Sequence, residues 1–203
     1  MSLEAVLTRI QALDGAFAPP QSTSTSSSSS TSFASALQGA MGTSATAATA
    51  PVGAVSGNSV GARMVAAAQA EVGQAEQPPG SNNSPRIAQY RAATAGAPGP
   101  GPWCSYFVSW AARQAGAPLG DQGQGFGSVD ALYAWAQRSG RAYTAGSGRT
   151  PQPGDLIVFH EHIGLVESVD ANGQIHTIEG NSSDQVARRI HQPSDAVGFV
   201  RVG

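Results

Sequence analysis

PQPGDLIVFHEHIGLVESVDANGQIHTIEGN, residues 151–181, decides the fold. Upstream of it apolar residues recur at helical spacing, and within it the period changes to that of strands. PQPGD is a turn signal, 156–159 reads as a short apolar strand, 163–169 as a second and 174–179 as a third. Asn172-Gly173, between the last two, is the strongest short-range hairpin signal in the chain. With Ala171 paired to Gln174 around it, Val166 lies opposite Glu179; a longer loop puts His162 directly opposite Glu179. Both registers keep His162 and Glu179 on one face of the sheet, and only a one-residue slip separates them. Residues 186–190 and 197–202 read as closing strands.

Working back toward the N-terminus, Met64, Val65, Ala68 and Val72 share one face of a helix predicted over 61–76, ended near Gly73 or by Pro78-Pro79. Pro102 suits the first turn of a second helix over 103–115, with Phe107, Trp110, Ala111 and Ala115 inward and Gly116 after its end. Trp103, Tyr106 and Trp110 are read as core, with Trp103 also a candidate to line a cleft. Ser128 is the expected N-cap of a third helix, whose buried stripe is Leu132, Trp135 and Ala136. Helices followed by an antiparallel sheet make an α+β domain, assigned to 61–203. Before it, residues 19–60 collapse to Ser, Thr, Ala and Gly around STSTSSSSSTS. Such a stretch buries too little apolar area to offset its ordering entropy and reads as a flexible, disordered linker. Leu3, Val6, Leu7, Ile10 and Leu13 give 1–18 the spacing of a short amphipathic segment.

The charge pattern excludes several classes of function. Eleven basic residues, all Arg, face 13 acidic ones in a chain of 203, and no basic cluster forms a nucleic-acid footprint. No apolar run approaches the roughly 18 residues of a membrane span. The start, MSLEAVLTRIQALDGAF, lacks the basic, apolar and small-residue zones of a Sec signal. The single cysteine, Cys104, forbids an internal disulfide and a several-thiolate zinc site. No phosphate loop or dinucleotide fingerprint is present, so neither cofactor nor metal is expected.

What remains is a set of nucleophilic and basic side chains. Cys104 lies in the first turn of the second predicted helix, where backbone N–H groups and the helix dipole favour a thiolate. A free cysteine is also a common small core hydrophobe, and position alone leaves both readings standing. In FHEHIGLV a helical zinc pattern would need histidines four apart on a helix, and this segment reads as strand. His160 and His162 then share a side that Glu161 leaves, and one of the two is the candidate base. Glu179 and Asn181 end the neighbouring strand. His176 has the opposite parity to Glu179 and faces away; His191 sits in a strand with no partner near in sequence. Nucleophile, base and carboxylate in this arrangement follow the logic of an activated cysteine hydrolase.

Three stretches in order, PWCSYFVSWAARQAG around Cys104, PGDLIVFHEHIGLVE around His162 and IEGN at 178–181, resemble the CHAP family of cysteine- and histidine-dependent amidohydrolases and peptidases. AQAEVGQAEQPPGSN and GFVRV also look like parts of that family, so the resemblance spans roughly residues 62–203. It implies a papain-like α+β fold and a Cys104–His162 pair, His162 being the histidine that directly precedes the family's [VI]-G-[IL]-V strand. It further implies that Glu179 orients the imidazole and that Asn181 supports it or polarises the site, the division between the two varying among members. His160 is extra to the pattern. The implied substrate is bacterial cell-wall peptide, cut either within the peptide or between sugar and stem.

The alternative is a catalytically silent module that keeps the fold and binds wall peptide or a protein partner. A wall substrate also demands export, here expected by a non-Sec route to the envelope or exterior. Residues 1–18 weakly resemble the tails of wall hydrolases found with flagellar genes, which makes them a candidate export or docking element; a phage lysin released by a holin is the rival. Deleting them is expected to abolish export and spare hydrolysis.

Overall fold

The computed structural model describes residues 59–203. The amphipathic segment at 1–18 and all but the last two residues of the 19–60 linker lie outside that range. The first helix among the described residues, α1 (Val60–Gln69), starts where Ser59 accepts a hydrogen bond from the Ala62 amide. It is shorter than the predicted 61–76, because after Ala70 the chain turns and the Gly73 amide is drawn to the Val186 carbonyl. Helix α2 (Pro85–Ala92) was not anticipated from the sequence. Ser84 caps it and Pro85 occupies its first turn, but its buried stripe is only Ile87 and Tyr90. Helix α3 (Cys104–Gln114) is buried from Cys104 through Ala112, as befits a helix packed on several sides. Its Phe107 and Trp110 pack with Tyr90 of α2, ring centroids 5.0–6.1 Å apart. Trp103, Tyr106 and Trp110 are all core, and Trp103 is fully buried. Helix α4 (Val129–Arg138) carries the expected Ser128 cap.

Six strands follow: β1 (Ala142–Tyr143), β2 (Leu156–Val158), β3 (Ile163–Val169), β4 (Ile175–Glu179), β5 (Ala187–His191) and β6 (Gly198–Val200). They form one antiparallel sheet in the order β1-β6-β2-β3-β4-β5. The domain is therefore α+β, with helices first and the sheet after. Leu156, Val158, Ile163, Leu165, Ile178 and Val200 pack with the helices in the main core. The alternate residues Ile157, Val166, Ile175 and Phe199 form a smaller cluster with Tyr143, as the two-residue strand period requires. Beneath that cluster Asp155 accepts from the Tyr143 hydroxyl at 2.6 Å and from Arg201 at 2.8 Å, tying β1, β2 and β6 together.

The register of the β3–β4 hairpin differs from both sequence expectations. The turn is built on Asp170, whose Oδ1 accepts from the amides of Asn172 and Gln174, and whose own amide donates to the Gln174 carbonyl. Three residues, 171–173, form the loop, and Gly173 holds the left-handed conformation at φ 81° that closes it. This turn alone would set His162 and Glu179 on opposite faces. A bulge between Val166 and Ser168 inserts one residue and shifts the pairing, so that Leu165 faces Ile178 beyond it. Continued one step, the register sets Gly164 opposite Glu179 and restores His162 to the carboxylate's side. Two one-residue slips cancel.

Candidate functional site

Cys104 is the first residue of α3. Its N-cap residue, Trp103, provides no side-chain hydrogen bond to the helix terminus, so the first-turn N–H groups have no side-chain cap and remain available to favour negative charge. The end of this helix is held in place by its neighbours. The Trp103 indole N–H donates to Glu76 Oε1 at 2.9 Å, and the other oxygen of Glu76 accepts from the Asn82 amide at 2.7 Å. The QAEQPPGSN loop thereby fixes the residue that starts the helix. Gly180 also lies against it: a β-carbon there would come 2.5 Å from Phe107 Cβ and 2.9 Å from the Trp103 ring. The glycine of IEGN lets the end of β4 meet the start of α3 at van der Waals distance.

His162 stands just before β3. The segment 159–162 is a tight turn and not a strand: the Phe159 amide donates to the His162 carbonyl, and Glu161 takes φ 61°. His160 and Glu161 are exposed at the tip. The expected alternation of faces through 160–162 does not apply, because a chain reversal occupies those positions. His162 alone of the pair turns inward.

Its ring meets both other groups. Nε2 lies 2.9 Å from Glu179 Oε2; a carboxylate only accepts, so Nε2 carries a proton. The Cys104 side chain acts on the same imidazole, raising its pKa, and the ring nitrogen that Glu179 does not hold is Nδ1. Burial alone would push the ring toward its neutral form. The hydrogen bonds with Cys104 and Glu179, and the negative charge behind each, outweigh burial and raise its pKa to about 9. Glu179 is 2 % exposed. Burial disfavours its charge, yet hydrogen bonds from His162, Thr177 and His191 hold its pKa down at about 2. Cys104 is itself only 4 % exposed, as an inert core thiol would be. The imidazole beside it distinguishes it from one, since His162 keeps 27 % of its side chain open to solvent.

Asn181 follows the strand at φ 58°, and among the described residues no hydrogen bond joins it to His162; Glu179 holds that ring. His176 points away, 3.8 Å from Asp170. His191, which has no partner near in sequence, has one in the fold: its Nε2 lies 2.6 Å from Glu179 Oε1. The β4–β5 connection hid it, because Asn181, Ser183 and Asp184 all adopt positive φ and the connection matches no two-residue turn from which a register is read. Thr177, whose hydroxyl donates to the same oxygen at 2.6 Å, was also missed, although its position two residues before Glu179 on one strand places it on that face. Among the described residues no group of three or more His, Cys, Asp or Glu is arranged to hold a metal ion, and no helix is long and apolar enough to cross a membrane.

Residues 96–181 match the family model of the CHAP domain. The match opens just ahead of α3 and closes on Asn181, so it takes in Cys104, His162 and Glu179. The chain carries a CHAP domain. No curated protein and no solved structure matches the chain. CHAP domains are in general cysteine- and histidine-dependent amidohydrolases or peptidases, which points to peptidoglycan as substrate. In this CHAP domain the glycine after His162-Ile163 has a local reason. A β-carbon on Gly164 would stand 2.8 Å from Glu179 Cγ and 3.3 Å from its Oε1, so the carboxylate side chain lies across the bare backbone on its way to the imidazole.

Proposed function

We propose that this CHAP domain cleaves an amide bond of peptidoglycan peptide by cysteine nucleophilic catalysis. The observation that supports it is the His162–Glu179 hydrogen bond at 2.9 Å, on a ring whose pKa Cys104 and Glu179 together raise to about 9. At neutral pH the proton then sits on the imidazole and the sulfur beside it is the nucleophile. The sulfur attacks the amide carbonyl, and the backbone N–H of Cys104 at the helix start holds the developing oxyanion. His162 Nδ1 gives its proton to the leaving amine, and the C–N bond breaks to leave a thioester. Water adds to the thioester with the now neutral His162 taking its proton, and the carboxylic product leaves as the sulfur is regenerated. Glu179 keeps the ring turned toward the sulfur throughout. Asn181, at the strand end beside it, serves the polarity of the site without holding the ring.

Digestion of purified peptidoglycan by the full chain, with Cys104→Ala as control and mass spectrometry of the fragments, tests this reading. New amine and carboxyl ends within the peptide identify an endopeptidase. Stem peptides freed from muramic acid identify an N-acetylmuramoyl-L-alanine amidase. Absence of either product, together with a thiol that alkylates no faster than free cysteine, leaves a binding module in its place.

A further inference from the structure

The carboxylate of Glu179 has two oxygens with separate partners, and only one of them faces the base. Oε2 takes the His162 N–H at 2.9 Å. Oε1 takes the Thr177 hydroxyl and His191 Nε2, each at 2.6 Å. The terminal torsion of a glutamate is broad and does not fix the carboxylate plane by itself, so the plane must be set by donors. We infer that His191, at the end of β5 and outside the matched residues 96–181, is a positioning residue of this site: its N–H holds the far oxygen of Glu179 so that the near one stays on His162.

Three features support this role. Since the carboxylate can only accept, Nε2 of His191 bears the proton it shares. The ring is itself held, 4.6 Å from the Phe159 ring at 48°, while Phe159 stacks on His162 at 6.1 Å and 25°. One aromatic side chain thus spaces the two imidazoles that flank the carboxylate. Glu179 is almost wholly buried, so water is a poor substitute for a lost donor. The rival role for His191 is packing against Phe159 alone.

The inference rests on the proposed cysteine chemistry, and the test separates the two. Cys104 is the chain's single cysteine, so alkylation of the full chain by iodoacetamide at neutral pH reports that sulfur alone, without any wall substrate. His191→Phe keeps a ring against Phe159 and removes the N–H; His191→Gln keeps an amide N–H and removes the ring. We expect His191→Phe to alkylate about tenfold more slowly, the lower range for losing a hydrogen bond to a charged group, and His191→Gln to stay within about twofold of the parent. Thermal midpoints identify any variant that fails to fold, in which case His191→Met replaces His191→Phe. Equal rates for parent and His191→Phe, or a loss in both variants, overturn the positioning role. A parent that alkylates no faster than free cysteine overturns the underlying chemistry, whatever the variants do.

Discussion

Replacing Gly164 by alanine perturbs the site through a single methyl group whose nearest neighbours are all atoms of Glu179. The new carbon would lie 2.8 Å from Glu179 Cγ, whereas packed carbons sit at about 3.5–4.0 Å. Glu179 must therefore retreat by about 0.7 Å or more. Its Oε2 is 2.9 Å from His162 Nε2, and a retreat of that size along the bond takes the pair to about 3.6 Å, where no hydrogen bond remains. A hydrogen bond involving a charged group is worth about 1.5–3 kcal/mol, which converts to a rate loss of about 10- to 150-fold at about 1.4 kcal/mol per decade. Crowding in a filled interior adds about 1–3 kcal/mol of destabilisation. The assays are peptidoglycan hydrolysis and iodoacetamide alkylation of the full chain, with a denaturation curve for each variant. Gly164→Ala with the parent's rates of hydrolysis and alkylation would show that the Glu179–His162 bond does not hold the imidazole in its working orientation.

The raised pKa of His162 has a sign that can be checked. The stability it adds is present in full below its ordinary value of 6.5 and is lost as pH rises through about 9. The gap in unfolding free energy between the chain and His162→Gln is expected to shrink by up to about 3 kcal/mol between pH 6 and pH 10; a constant gap refutes the coupling. In the proposed mechanism the leaving amine takes the His162 proton, so hydrolysis should decline over the same alkaline range. Glu179→Gln removes the charge while keeping the shape: we expect a loss of about 10- to 100-fold in rate and an alkaline limb displaced to lower pH, and a limb still near 9 would release Glu179 from tuning the base. Gly180→Ala drives a methyl into Phe107 and Trp103 and should lower stability by about 1–3 kcal/mol, read as a fall in thermal midpoint; an unchanged midpoint means β4 and α3 can separate freely.

The main elements of the domain were legible because their signals are local. Ser128 ahead of an apolar stripe and the switch of period at Leu156 each depend on a few adjacent residues. The three stretches holding Cys104, His162 and Glu179 were legible for the same reason. Helix α2 escaped although Ser84-Pro85 marks its start, because eight residues with two buried side chains give too little periodicity to register. Strand β1, two residues long, exists through pairing with β6 and has no pattern of its own. His191 escaped because its meeting with Glu179 depends on a register set by backbone conformations at Asn181, Ser183 and Asp184. The hairpin was read from Asn172-Gly173, while the carboxylate of Asp170 governs the turn. The inferred common face for His162 and Glu179 was correct, though by a different route from the one the sequence suggested.

That route constrains how such a chain can vary. The odd-length loop at 171–173 and the extra residue at the bulge before Ser168 act as a pair of compensating insertions. Losing either one rotates the stretch carrying the imidazole by half a turn relative to its carboxylate, while losing both restores their alignment. Length changes in this hairpin should accordingly be tolerated only in twos, however far the altered residues lie from the sulfur.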